Sequence, residues 1–318
     1  MRRRIAAVAC GLAAALVLSG CTVAAPIDAS PSIARTVEIP GGRKMYLECA
    51  GSGSPRVVLI SGQRGSAQEW SMVAAGVSSP PVFAQIAQHT RVCAYDRPGT
   101  PVGNGFSRSD PAPQPTTAAA MADDLAALLV AAGETGPTVI AAHSAGGLAG
   151  LLYAARHPDD VDGLVFVDAT STGLRAAETP AQWRIQLELL SGDLRDSLAE
   201  YPDIERIDFD TSFDQVLAAP PLRQMPLVVL SADRPWGPIL RQMHDAGTLP
   251  PDVPADFGYV IDHASAEGQA GLASLVEGSI HITRTDSGHD VHQEQPDLVS
   301  IQILRVVDRV RAGDDTAE

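Results

Sequence analysis

Short continuous apolar runs recur along the chain at Val57–Ile60, Arg91–Tyr95, Thr138–Ala142, Gly163–Val167, Leu227–Leu230 and Ile280–Thr283. Runs without polar alternation are those of strands buried on both faces. Between them, Met121, Leu125, Leu128 and Leu129 recur at i, i+4, i+7 and i+8, with Asp123 and Asp124 off that stripe, which predicts an amphipathic helix closed by Gly133. Leu148, Leu151, Leu152 and Ala155 predict a second helix ending at His157-Pro158, and Leu298 to Val310 a closing one. Upstream, Arg35–Ile39 and Lys44–Cys49 about Pro40-Gly41-Gly42 predict a hairpin. Strands alternating with helices imply a parallel sheet. Ser171 to Pro221 breaks that alternation. There Trp183, Leu187, Leu190, Leu194 and Leu198 keep mostly helical spacing across Gly192, and the stripe reads as the core of a helical insertion rather than a substrate groove. Trp236 to Pro254 reads as irregular and Pro-rich.

With 318 residues and 45% apolar content, the chain can bury one sizeable core. Its first residues do not belong to that core. Arg2-Arg3-Arg4 and the apolar stretch Ile5–Leu18, too short for a comfortable membrane span, read as a targeting signal that is cleaved. Leu18-Ser19-Gly20-Cys21 resembles the lipobox of bacterial lipoproteins, in which the cysteine carries lipid and becomes the first mature residue. The alternative is an ordinary secretory signal ending near Ala24-Ala25. The expected organisation is a signal over 1–20, a tether over 21–34, one domain over 35–312 with an insertion over about 171–221, and a disordered tail over 313–318. Losing residues 1–20 leaves 20 basic against 38 acidic side chains, a net charge of −18. Such acidity argues against a nucleic-acid partner.

The candidate chemistry lies in Ala142-His143-Ser144-Ala145-Gly146, where a strand runs into a serine between small residues and a helix follows. That is the pattern of a nucleophile elbow, with Ala for the first Gly of G-x-S-x-G. With the late Ser287-Gly288-His289, it resembles the α/β-hydrolase family over about Thr36 to Arg311. The resemblance implies a mostly parallel eight-stranded sheet flanked by helices, with a helical cap inserted between strands six and seven. It implies Ser144 as nucleophile and His289 as base, while His143 reads as structural and His292 as a surface neighbour. Ser61-Gly62-Gln63 aligns with the family's His-Gly-x loop, with Ser61 for the histidine; the backbone N–H groups of Gln63 and Ala145 would form the oxyanion hole. The acid stays open between two positions. Asp168 ends strand six, the place used by a subgroup of the family and preferred here. Asp233 follows strand seven, but Pro235 occupies the usual acid position. Asp96-Arg97-Pro98-Gly99 resembles the family's Y-D-x-x-G stretch, and Asp96 with Arg97 reads as a structural ion pair.

Once Cys10 leaves with the signal and Cys21 carries lipid, Cys49 and Cys93 remain. Secretion and the family's strand order, in which strands two and four are neighbours, imply that they form a disulfide. Their spacing suits no metal, and neither metal nor organic cofactor is implied. The expected protein is an extracytoplasmic serine hydrolase, membrane-anchored through lipid at Cys21 or else secreted. It would form an acyl-enzyme on a small carboxylic ester, before an amide or peptide. The competing readings are a non-catalytic surface lipoprotein that binds through the same fold, and cofactor-free peroxidase-type chemistry.

Overall fold

The computed structural model describes residues 32–192, 194–250 and 252–317. The expected signal, Cys21 and most of the expected tether lie outside the described residues. The strands are β1 (Ile33–Glu38), β2 (Lys44–Ala50), β3 (Arg56–Ile60), β4 (Val92–Tyr95), β5 (Thr138–His143), β6 (Val161–Val167), β7 (Leu227–Leu230) and β8 (Ile280–Ile282). They form one eight-stranded sheet in the order β1-β2-β4-β3-β5-β6-β7-β8. β2 pairs antiparallel with β1 and β4, and all other pairs are parallel. Cys49 and Cys93 are direct partners in the β2/β4 register, with Cα atoms 4.1 Å apart, and they are joined by a disulfide.

The helices are α1 (Val82–Ala87), α2 (Ala118–Ala132), α3 (Gly146–Arg156), α4 (Thr172–Ala176), α5 (Pro180–Ser191), α6 (Arg195–Glu200), α7 (Phe209–Leu217), α8 (Trp236–Asp245), α9 (Phe257–Ala273), α10 (Val291–Glu294) and α11 (Pro296–Ala312). Side chains alternate across a strand, so each central strand feeds two cores. Val58, Ile60, Ile140, Ala142, Leu164 and Phe166 pack with α2 and α3 on one face. Val57, Leu59, Val139, Ala141, Val165 and Val167 pack with α1 and α11 on the other. Burial on both faces is why these strands are apolar without alternation.

The insertion between β6 and β7 consists of α4, α5, α6 and α7. Its apolar stripe is divided, because Gly192 adopts φ 66° and ends α5. Trp183 packs on Phe213 at 5.2 Å and donates its indole N–H to Asp210, so this part is cap core. Leu190 of the same stripe, about two turns on, lines the cavity described below together with Leu189, contrary to the expectation that the stripe is cap core rather than groove. The segment expected to be irregular after β7 begins with α8; its Leu240 packs with Phe257 and Ile261 of α9. Of the tail expected to be disordered, the described residues 313–317 are docked: Arg309 donates to the Thr316 carbonyl at 2.9 Å, the Ala317 N–H to the Gly278 carbonyl at 3.1 Å, and Ala317 is buried.

Candidate active site

In an open parallel sheet, ligand sites form beyond the carboxyl ends of the strands, where side chains from several loops converge. Here β5 ends at His143, and Ser144 follows with φ 51°, a left-handed conformation that non-glycine residues seldom adopt. The turn is held because the Ser144 N–H donates to the Val167 carbonyl at 3.2 Å, and its own carbonyl accepts from Gly147 and Thr170. The close approach of strand and helix explains the small neighbours. A Cβ on Gly146 would stand 2.5 Å from the Ser61 carbonyl oxygen, and one on Gly62 would stand 3.0 Å from the Ser144 Cβ.

His289, between β8 and α10, places Nε2 2.8 Å from the Ser144 Oγ. Its Nδ1 lies 2.6 Å from Asp168 Oδ2, just past β6. Asp168 is itself fixed: Oδ1 accepts from the Ala232 N–H at 3.1 Å, and Gln269 of α9 reaches both that oxygen and the Ala169 carbonyl. Of the two acids left open by the sequence, Asp168 is therefore the one beside His289. Asp233 instead accepts the backbone N–H groups of Asp286 and Ser287, tying the β7 loop to the β8 loop. Burial disfavours the His289 imidazolium, but the hydrogen bond and charge of Asp168, with Asp290 and Glu69 adding, outweigh it and hold its pKa above the ordinary histidine value.

Of the two neighbouring histidines, His292 departs from its expected place. His143 lines the cavity and donates from Nε2 to the His289 carbonyl at 3.0 Å, which fixes its tautomer. His292 is buried, not on the surface: its ring packs between Trp70 and His143, at 4.6 and 4.4 Å. Burial holds both imidazoles neutral, with neighbouring histidine rings adding; His292 is pushed down to about 3.

The Ser61–Ser66 loop faces the elbow. Neither the Gln63 nor the Ala145 N–H donates to another described residue. The loop's shape depends on a buried cation. Arg97 donates to the Ser61 carbonyl at 2.9 Å and the Gly62 carbonyl at 2.5 Å, and it pairs with Glu205 through two bonds of 2.6 and 3.0 Å. Glu205 also accepts the Arg64 N–H at 2.5 Å, and the Arg64 guanidinium reaches the Ser191 carbonyl at the end of α5. The expected pairing of Asp96 with Arg97 does not occur, since adjacent side chains at a strand end diverge. Asp96 pairs with Arg108 at 2.6 and 2.8 Å and accepts the Ala67 N–H.

A cavity of about 440 Å³ opens over Ser144 and His289, a size suited to a small-molecule ligand. Its outer wall is apolar, with Leu174, Leu189 and Leu190 from the cap and Leu240, Met243 and Ile261 from α8 and α9.

A family model described as "Alpha/beta hydrolase family" matches residues 57–300. The chain belongs to the alpha/beta hydrolase family. Among its relatives is Esterase Rv0045c of Mycobacterium tuberculosis, 28% identical over 284 residues, which are 81% of this chain and 84% of that protein. An uncharacterized protein of Schizosaccharomyces pombe is 32% identical over 148 residues, 40% of this chain and 26% of that one. The chain covers less than half the length of each of the first three curated relatives, at 26%, 41% and 37%. A thermophilic esterase from Thermogutta terrifontis shares the fold with a TM-score of 0.52 and 19% identity, over 88% of this chain and 99% of that one.

Glu205, Gln269 and Glu69 join the site without having been read from the sequence. Gln269 could have been found, because Phe257, Ile261, Ala264, Gly268 and Leu272 recur at helical spacing and mark α9. Glu205 lies in the turn between α6 and α7, where no periodicity marks it.

Proposed function

We propose that this hydrolase is a serine esterase acting through an acyl-enzyme on carboxylic esters with an apolar group. The observation that carries the reading is the hydrogen-bonded series Asp168–His289–Ser144. A serine hydroxyl is a weak nucleophile, and His289 accepts its proton as Oγ attacks the ester carbonyl. Asp168 keeps Nδ1 protonated, so that Nε2 offers its lone pair to the serine, and it stabilises the imidazolium that forms. The tetrahedral oxyanion lies against the Gln63 and Ala145 N–H groups. On collapse the C–O bond to the alcohol breaks and His289 returns the proton to the leaving oxygen; water, deprotonated by the same nitrogen, then releases the acid. The leucine-rich outer wall favours an apolar acyl or alcohol group.

The test is pre-steady-state hydrolysis of a p-nitrophenyl ester. A burst of one nitrophenolate per active chain supports a covalent intermediate. Hydrolysis that Ser144→Ala leaves unchanged would remove the proposal. We further propose that the protein works outside the cytoplasm, anchored by lipid on Cys21. Its transfer from detergent to the aqueous phase on Cys21→Ala is the expected outcome, and an unchanged partition contradicts the anchor.

A further inference from the structure

Behind the reacting side chains, under the Gly62–Gly65 turn, three separate segments bring ligand-type side chains together. Glu69 comes from the short helix Ala67–Ser71, His143 from the end of β5 and His292 from α10. One potential ligand atom from each lies within 4.8 Å of the other two. His143 and His292 are only 3% and 1% exposed. Yet Glu69 Oε2, His143 Nδ1 and His292 Nδ1 are buried and have no hydrogen-bond partner among the described residues. A buried polar atom left unsatisfied loses its hydration with nothing in return, so three in one place call for an occupant.

The chemistry of the three atoms narrows what that occupant is. His143 Nε2 is committed to the His289 carbonyl, which leaves Nδ1 with its lone pair. An imidazole whose second nitrogen donates to a backbone carbonyl is oriented as metal-binding histidines are. Two imidazoles and one carboxylate suit a borderline transition metal, with a fourth position left for water, whereas Ca²⁺ and Mg²⁺ prefer oxygen ligands alone. Access exists, because Glu69 and His143 both line the cavity over Ser144.

We propose that Glu69, His143 and His292 form a binding site for a divalent transition-metal ion, with Zn²⁺ the preferred ion. The site is separate from the Asp168–His289–Ser144 series, and it stands whether or not the chain is an esterase. An ion there ties the loop after β3, the end of β5 and α10 into one unit. Its effect is therefore on stability, through binding to the folded state alone.

The test uses the disulfide-intact chain stripped with a chelator and titrated with Zn²⁺ by calorimetry and with Co²⁺ by visible absorption. The expected result is one Zn²⁺ per chain, a Co²⁺ spectrum of four-coordinate intensity, and a rise in melting temperature on adding Zn²⁺. Glu69→Gln keeps the side chain's shape, and it should weaken Zn²⁺ binding at least tenfold and abolish the rise. His292→Gln should do the same; if that variant does not fold, Glu69→Gln decides alone. Lack of Zn²⁺ binding by the wild-type chain would mean that buried water satisfies these atoms, and it overturns the proposal. Binding that Glu69→Gln leaves unchanged would place the ion on His289 or a surface histidine and overturns it equally.

Discussion

Removing the Glu205 carboxylate should lower stability and catalysis together, and removing the Arg97 charge with it should separate the two. Glu205 and Arg97 are 0% and 2% exposed in their side chains. Glu205 holds three donors, two from Arg97 and the Arg64 N–H. Burial disfavours the Arg97 cation, but Glu205 more than compensates, and the guanidinium pKa is raised above the usual arginine range. Glu205→Ala leaves that cation buried and unpaired, which costs about 3–5 kcal/mol, a large part of the 5–15 kcal/mol that typically holds a domain folded. Arg97 also fixes the Ser61 and Gly62 carbonyls, so losing its partner lets the Gln63 N–H drift. Loss of one oxyanion donor costs roughly 10²–10³-fold in kcat, and partial misplacement about 10- to 100-fold. The assays are denaturant unfolding and kcat on an activated ester. The double change Arg97→Met with Glu205→Leu removes both charges and should recover most of the stability. It should not recover kcat, because methionine cannot donate to the Ser61 and Gly62 carbonyls. A Glu205→Ala loss below about 1 kcal/mol, or a double variant with wild-type kcat, would refute the reasoning.

As the proposed base, His289 must be neutral to accept the serine proton, and its pKa is held above the ordinary 6.5, so kcat/KM should rise with pH along a limb whose midpoint lies above that value. Asp168→Asn should lower that midpoint, and a limb that does not move would show that Asp168 does not act on His289. Asp168→Asn should also reduce kcat by on the order of 10³-fold or more, as in other triads. Asp233→Asn, whose side chain accepts the Asp286 and Ser287 N–H groups, should reduce it less than about tenfold; reversed losses would make Asp233 the acid.

The sheet was legible because burial on both faces leaves strand runs apolar, and the elbow because its tight packing demands small residues in a fixed order. The disulfide followed from strand adjacency, which the family resemblance supplied and the β2/β4 register bears out. The partner of His289 was legible in part: Pro235 at the usual acid position favoured Asp168, which the structure places beside His289, but Asp233 also follows a strand and only the path of each loop decides between them. Arg97 was misread because local sequence shows its neighbour Asp96 but not Glu205, which lies 108 residues away. His292 read as exposed because it stands in a polar stretch, Gly288 to Gln295; its burial comes from packing against Trp70 and His143. Helix α8 was hidden in a segment that reads as Pro-rich, although its Pro238 stands in the first turn, where proline is tolerated.

The central claim is an activated serine at position 144, and a fluorophosphonate probe followed by peptide mass spectrometry tests it most directly. Attack by Oγ on phosphorus displaces fluoride and leaves a stable phosphonyl ester, with the proton passing to His289. The expected result is a single adduct on the peptide containing Ser144, absent in Ser144→Ala and strongly slowed in Asp168→Asn. An adduct on another residue, or no adduct on a chain shown to be folded, would contradict it.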